Sequence, residues 1–424
     1  MKRIFSYCII SIFLFSGIAS AELKSGHGWS VNPDHELALE EAMDMMKKKI
    51  TDPFMIHVYF TEEFDGQKIS DTLSNRFKGA KVFGFQIFKG VFSPDGVHIG
   101  KNGSIGLFGL EGKGYTVGVA AAELEKDKFS RKDIEGLIAA TAEDAGKTIK
   151  DIPALISMGT EYYTVIPMID GLMATFPKET KLVGGTAVNN DYGPGQVIGN
   201  KTNYKTGVVL AFVYTDKKVG HSFFAGYSGK MKSGIITKGG GNIISEIDGK
   251  PAQQVFRDWA EGYYDNIDIS KGDQIVMSSV INPLAKAFKM PDGSLKYITI
   301  HAFKFHQNGK DLTVALTINE GEEMYYVEGS RPSLIKRAGK VVIKAMKNGK
   351  IKVKEVCGGV HYYCCGAAAG INFDDGALKM AKEIKKVMRD KSWIGAFTGG
   401  EQGNIAGLGM FEGNLMSTMA IFAK

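Results

Sequence analysis

The sequence predicts a mixed α/β fold (α/β or α+β) with mixed sheets, in two halves, and three observations lead there. Amphipathic helical stretches alternate with short apolar strands along the chain. Hairpin signals such as Asn308-Gly309 interrupt that alternation, so the sheets cannot be purely parallel. An order of helix, strand, glycine-rich arc and strand occurs three times, with Gly84, Gly184 and Gly395 in corresponding places.

At the start, Lys2 and Arg3 precede an apolar run from Ile4 to Ile18 and then Ala19-Ser20-Ala21, the pattern of a secretory signal peptide with an A-x-A cleavage site. The run is about 15 residues, shorter than the roughly 20 that a helix needs to cross a bilayer. Residues 1–21 are therefore expected to be removed after Ala21. The mature chain is expected to lie in the periplasm or outside the cell without inserting in a membrane. Position 22 is Glu, so no acylated cysteine anchors it.

Asn32-Pro33 reads as an N-cap with proline at the first helical position, opening a helix through "PDHELALEEAMDMMKKKI". "FMIHVYF" is a buried strand, and "SDTLSNRFKG" a helix closed by Gly79. The first copy of the repeat continues through "KVFGFQIFKGVFSPDGVHIGKNGSIGLFGL", the second spans "IDGLMATFPKETKLVGGTAVNNDYGPGQVIGNKTNYKTGVVLAFVY", and the third is "DGALKMAKEIKKVMRDKSWIGAFTGGEQGNIAGLGMFEGNLMSTMAIFA". Between the second and third, Asp248-Gly249 makes a turn and Pro251 begins a helix. The boundary between the halves falls near Asp216 to Thr237, giving domains 22–225 and 226–424.

Loss of Lys2 and Arg3 with the leader lowers the formal charge from +6 to +4, with no basic block left. Lysine-rich stretches such as Lys47-Lys48-Lys49 suit helix ends and hairpin edges. Nucleic acid is not an expected partner. Cys8 leaves with the leader, and Cys357, Cys364 and Cys365 are an odd, clustered set, not a disulfide framework. They read as small buried residues beside a Gly/Ala arc, with a disulfide from Cys357 to either partner as the alternative. On a continuing strand His361 and Cys365 would share a face about 13 Å apart, too far for a Cys-His pair.

Candidate binding residues lie in the arcs. Glu401 and Gln402 sit among glycines in "FTGGEQGNIAG", so their side chains can enter a cleft while backbone N–H groups face the same space. Thr398 and Asn414 add polar contacts. In the middle copy Thr186, Asn189, Asn190 and Asp191 occupy the equivalent arc, although consecutive Asn and Asp also close turns on their own backbone. A ligand would sit between the two halves. No G-x-x-x-x-G-K-[ST] loop, G-x-S-x-G elbow or Cys-x-x-Cys occurs, and the histidines show no i, i+4 helical pairing, so no metal is expected. Haem needs one axial ligand, and His57, His301 and His361 lie on predicted strands.

The ordered segments "VYFTEEFD", "VFGFQIFKGVFSPDG", "LVGGTAVNND", "KGGGNIISEIDGKPAQQVF", "INEGEEMYYVEGS", "YYCCGAAAG" and "IGAFTGGEQG" resemble the FIST domain, in its N-terminal and C-terminal portions, from about Gly26 to Lys424. The resemblance implies a sensory module that binds a small molecule such as an amino acid, with Glu401, Gln402, Asn414, Thr398, Cys364, Thr186, Asn189 and Asp191 as ligand-binding positions. It also implies a separate membrane receptor or signalling partner, because the chain has no output segment of its own. Some members similar in fold bind haem and report nitric oxide, so a haem gas sensor is the alternative. A thiol-dependent enzyme using Cys364 or Cys365 is the second, although a non-enzymatic binder is expected. Two departures stand out. Cys364-Cys365 is followed by "GAAAG" where the family commonly has an arginine, and Gly413 stands where a histidine often precedes the asparagine.

Overall fold

The computed structural model describes residues 22–268 and 275–424, without the side chains of Lys230 and Met231. The predicted leader, residues 1–21, lies outside the described residues.

Three sheets are built on one plan, in which two parallel strands joined by a helix are flanked by antiparallel neighbours. In the first sheet Met55–Phe60 pairs in parallel with Lys81–Gln86 across the helix Gly66–Arg76, and Ile105–Glu111 and Lys24–Ser30 complete one side. The second sheet repeats this with Leu155–Thr160, Val165–Thr175 and Leu182–Thr186, flanked by Gly207–Tyr214 and Thr116–Glu123. The third uses Val356–Cys364, the helix Asp375–Met388 and Ser392–Thr398, flanked by Ser417–Ala423 and Val219–Phe224.

Each glycine-rich arc of the sequence contains a hairpin, and each hairpin is handed to a neighbouring sheet. Gly90–Ser93 and Gly96–Ile99, from the first unit, extend the third sheet at Ser392–Thr398. The second unit's Val197–Gly199 and Thr202–Tyr204 extend the first sheet at Lys81–Gln86. Glu401–Ile405 and Gly409–Gly413, from the third unit, extend the second at Leu182–Thr186. The exchange runs in a closed cycle, so every unit needs both others to complete its edges.

The inner faces of all three sheets meet in one apolar core containing Tyr59, Phe83, Phe85, Val183, Val209, Val360, Tyr362 and Phe422. Tyr59 and Tyr362 join hydroxyls across it at 2.7 Å, a link between the first and third sheets. A fourth sheet, of Ser228–Ile247, Leu284–Lys289, Leu295–Ile300, Ala302–Phe305, Leu312–Ile318 and Glu323–Glu328, is inserted in the third unit and carries its own core. The expected boundary at residue 225 falls between the third sheet's edge strand Val219–Phe224 and this insertion.

Local departures have local causes. The first helix is capped by Asp34, which accepts from the N–H groups of Glu36 and Leu37, whereas Asn32 Oδ1 accepts from the Asp34 N–H, ahead of the helix. The expected Gly/Ala arc after Cys364 is the short helix Cys365–Ile371. Cys365 therefore does not continue the strand, and the strand-face relation to His361 does not arise. His361 bonds Ser417 Oγ at 2.6 Å instead.

Candidate functional site

The strand ends of the three units converge through three backbone hydrogen bonds that close a cycle. Phe88 N donates to Phe397 O at 3.0 Å, Val188 N to Gln86 O at 3.2 Å, and Gly399 N to Thr186 O at 2.9 Å. Gly84, Gly184 and Gly395 each stand two residues before the accepting residue, so the repeat read in the sequence is a repeat in space. Active groups of open α/β sheets gather at this end of parallel strands.

Here Cys364 ends its strand and Cys365 opens the next helix. Opposite them the turn Asn414-Leu415-Met416 carries Leu415 at φ +55, a left-handed conformation that costs a branched residue about 1–2 kcal/mol. The strain aims two successive N–H groups at the site. Leu415 N–H reaches the Cys364 sulfur, and Met416 N–H donates to Glu401 Oε2 at 2.9 Å. Thr398 Oγ1 donates to Glu401 Oε1 at 2.7 Å.

Below the turn Arg337, fully buried, donates from Nη1 to the carbonyls of Leu415 and of Ala225, the latter at 2.6 Å. Its guanidinium lies 4.5 Å from the Tyr363 ring centre, while Nε and Nη2 have no hydrogen-bond partner. The Cys365 thiol, with the backbone N–H groups of Ala367, Leu415 and Gly366, overcomes burial and lowers Cys364 to about 6. Burial, and then the charge of Cys364, holds Glu401 well above the carboxylate range. Arg337 thus lies near two acids that are pushed in opposite directions, Cys364 down and Glu401 up.

Gly400 leaves a small polar niche with room for a methyl group. A methyl group placed there would lie 3.4 Å from Thr186 Oγ1, 3.6 Å from Glu412 Oε1 and 3.7 Å from Asn414 Nδ2, which is ordinary contact. The same construction at Gly399 would meet the Tyr162 hydroxyl at 2.4 Å, so Tyr162 forms the wall on that side. Gln402 donates to Thr186 Oγ1 at 2.9 Å, leaving its Oε1 buried without a partner. Glu412 stands opposite Gln402 in register. Burial alone pushes it up to about 8. A carboxyl held in this way is a waiting partner for a cation.

Of the positions expected from sequence, Glu401, Gln402, Thr398, Asn414, Cys364 and Thr186 come together. Glu401 and Gln402, as strand neighbours, serve opposite sides: Glu401 faces Cys364 and Gln402 faces the niche. Asn189 and Asp191 are not gathered with them. Asn189 Oδ1 accepts from Asp191 N at 3.0 Å and Gly193 N at 2.6 Å, closing its own turn, and Asp191 is exposed. Sequence reasoning missed Glu412, Tyr162, Arg337 and Leu415. Only Glu412 carried a signal, as the acidic residue opposite Gln402 in the final hairpin.

Cys357 hydrogen bonds to Leu23 O and sits at the other end of the strand from Cys364, about 23 Å away at the usual rise. That separation excludes a disulfide between them within the chain, and all three described cysteines are free. His57 and His361 have no exposed surface and are packed among aromatic rings, and His301 bonds Val276 O at 2.7 Å. None of these imidazoles offers a face to a porphyrin, so no role is derived for haem. Among the described residues no cluster of three metal-ligating side chains occurs.

Three interlocked α/β units around a small polar niche, without a phosphate loop, define a ligand-binding module. The chain belongs to the FIST family: the FIST N domain matches residues 55–250 and the FIST C domain residues 252–404. FIST domains are sensory domains that bind small ligands in signalling proteins. No curated protein matches the chain. Among solved structures it is similar to a cyanuric acid hydrolase described as an evolutionary innovation by structural concatenation, at 9% identity over 95% of this chain and 100% of that one, with a TM-score of 0.33. It is also similar to PurLQS from Thermotoga maritima, at 8% identity over 96% of this chain and 74% of that one, with a TM-score of 0.23. Likenesses of that order say nothing about activity.

Proposed function

We propose that this protein is a secreted, periplasmic sensor of a small polar metabolite of the amino-acid class, held in the niche above Gly400, which signals through a separate membrane partner. The observation that carries the reading is Glu412, a half-buried carboxyl facing the niche with no cation beside it. A ligand ammonium would restore its charge, while Asn414 Nδ2 provides a donor for a ligand carboxylate. Export rests on the leader-like residues 1–21, and the partner on the place of FIST domains in signalling proteins.

Native mass spectrometry of protein exported and purified without added ligand tests the proposal. A small extra mass that leaves on denaturation identifies the ligand, and calorimetric titration with the twenty amino acids measures its affinity. If no mass copurifies and no amino acid binds, the reading is wrong.

The lowered Cys364 thiol favours a second reading, a thiol-dependent enzyme, since a thiolate is the nucleophilic form. Alkylation of Cys364 would then abolish turnover of the bound compound. A compound bound and released unchanged by the unmodified protein excludes it.

A further inference from the structure

A second cavity, of about 340 Å³, lies where the inserted sheet meets the third unit. It sits about 13 Å along the final hairpin from Glu401, at the Ile405 end, so it is separate from the niche. Its walls come from four elements: the strand Val219–Phe224, the helix Arg331–Asn348, the strand Leu295–Ile300 and the end of Glu401–Ile405.

The lining is one-sided in charge. Of its fifteen residues two are lysines, Lys296 and Lys344, and none is acidic. Among the described residues neither lysine has an ion-pair partner. Asp292, an acid within electrostatic reach of Lys296, is exposed and bonds Ser294 instead. Lys344 Nζ lies 4.5 Å from the centre of the Phe224 ring, so this cation sits over an apolar wall. Burial, and then Lys296, Lys347 and Lys340, pull the Lys344 ammonium below the usual lysine range, as expected where no anion is present.

We infer that this cavity is a second ligand site, for an organic carboxylate with an apolar body. Lys296 and Lys344 hold the carboxylate, and Phe223 and Phe224 cover the apolar part. The size matches the lower range of small-molecule sites, about 300–1,000 Å³. Two unpaired cations from separate elements supply the charge complementarity, and the aromatic walls exclude a bare inorganic anion as the best fit. The niche above Gly400, by contrast, presents a carboxyl, that of Glu412.

The test is calorimetric titration of the purified protein with benzoate, inorganic phosphate and benzylamine, together with mass-spectrometric measurement of Lys344 acetylation. Benzoate is expected to bind saturably, benzylamine not to bind at this cavity, and benzoate to slow acetylation of Lys344. Lys344→Gln and Lys296→Gln, both at half-exposed positions, are each expected to weaken benzoate at least fivefold. Phosphate binding as tight as benzoate would overturn the apolar body. Absence of benzoate binding, or binding indifferent to both lysine substitutions, would overturn the site.

Discussion

Arg337 donates to the carbonyl of Leu415, a fully buried leucine whose backbone is left-handed. A cation from one helix thereby clamps the turn whose N–H groups serve Cys364 and Glu401. Leu415→Ala keeps the left-handed backbone and loses packing, at a cost of about 2–4 kcal/mol. Leu415→Gly loses little more packing and relieves the strain, so it is expected to be more stable than the alanine variant by about 1 kcal/mol, opposite to their usual order. Urea unfolding midpoints decide it, and a more stable alanine variant would remove the strain account.

Cys364 gives a pH signature. Its thiol is lowered to about 6 in the folded protein, against about 8.5 when unfolded. For a lowered pKa, the stabilisation is fully present above the unfolded value and is lost as pH falls through 6. Thiolate absorbance near 240 nm is expected to rise with a midpoint close to pH 6 and to be absent in Cys364→Ser. A midpoint near 9 would show that the Cys365 thiol and the backbone donors do not stabilise the thiolate.

Glu412 behaves in the opposite sense. Burial raises it to about 8, so the folded state is favoured below the unfolded value and loses stability as pH rises through 8. Glu412→Gln is therefore expected to stabilise the ligand-free protein at pH 9, to change little near pH 4, and to abolish copurification of the bound mass. Equal pH profiles for the two proteins would mean that Glu412 is not desolvated.

Two glycines separate folding from binding. A Cβ at Gly84 would fall 2.2 Å from the Val58 carbonyl oxygen, where neither backbone can yield, and Gly84→Ala is expected to cost more than about 2 kcal/mol. At Gly400 the nearest atom would be 3.4 Å away, so Gly400→Ala should change stability by less than about 0.5 kcal/mol. It fills the niche all the same. Loss of the copurified ligand with an unchanged unfolding midpoint is the expected result, and undiminished binding would move the ligand elsewhere.

The sequence was informative where structure is local. "FMIHVYF", Asp248-Gly249 and Asn308-Gly309 lie where apolar runs and turn residues put them, because a strand's apolar content and a turn's preference for positive φ need only near neighbours. Asn189 illustrates the limit. Its residue type suits a ligand contact and a self-closed turn equally, and the turn won because Asp191 and Gly193 present their N–H groups to it.

The sequence by itself determined the α/β alternation, the threefold repetition marked by Gly84, Gly184 and Gly395, and the glycine-rich setting of Glu401. Only the tertiary structure decided that the hairpins are exchanged in a cycle, and that Arg337 and Leu415 meet Cys364 and Glu401. Strand pairing between units depends on edges hundreds of residues apart, and a thiol is lowered or a carboxyl raised only by the atoms that surround it once folded. Neither leaves a mark on the local pattern of residues.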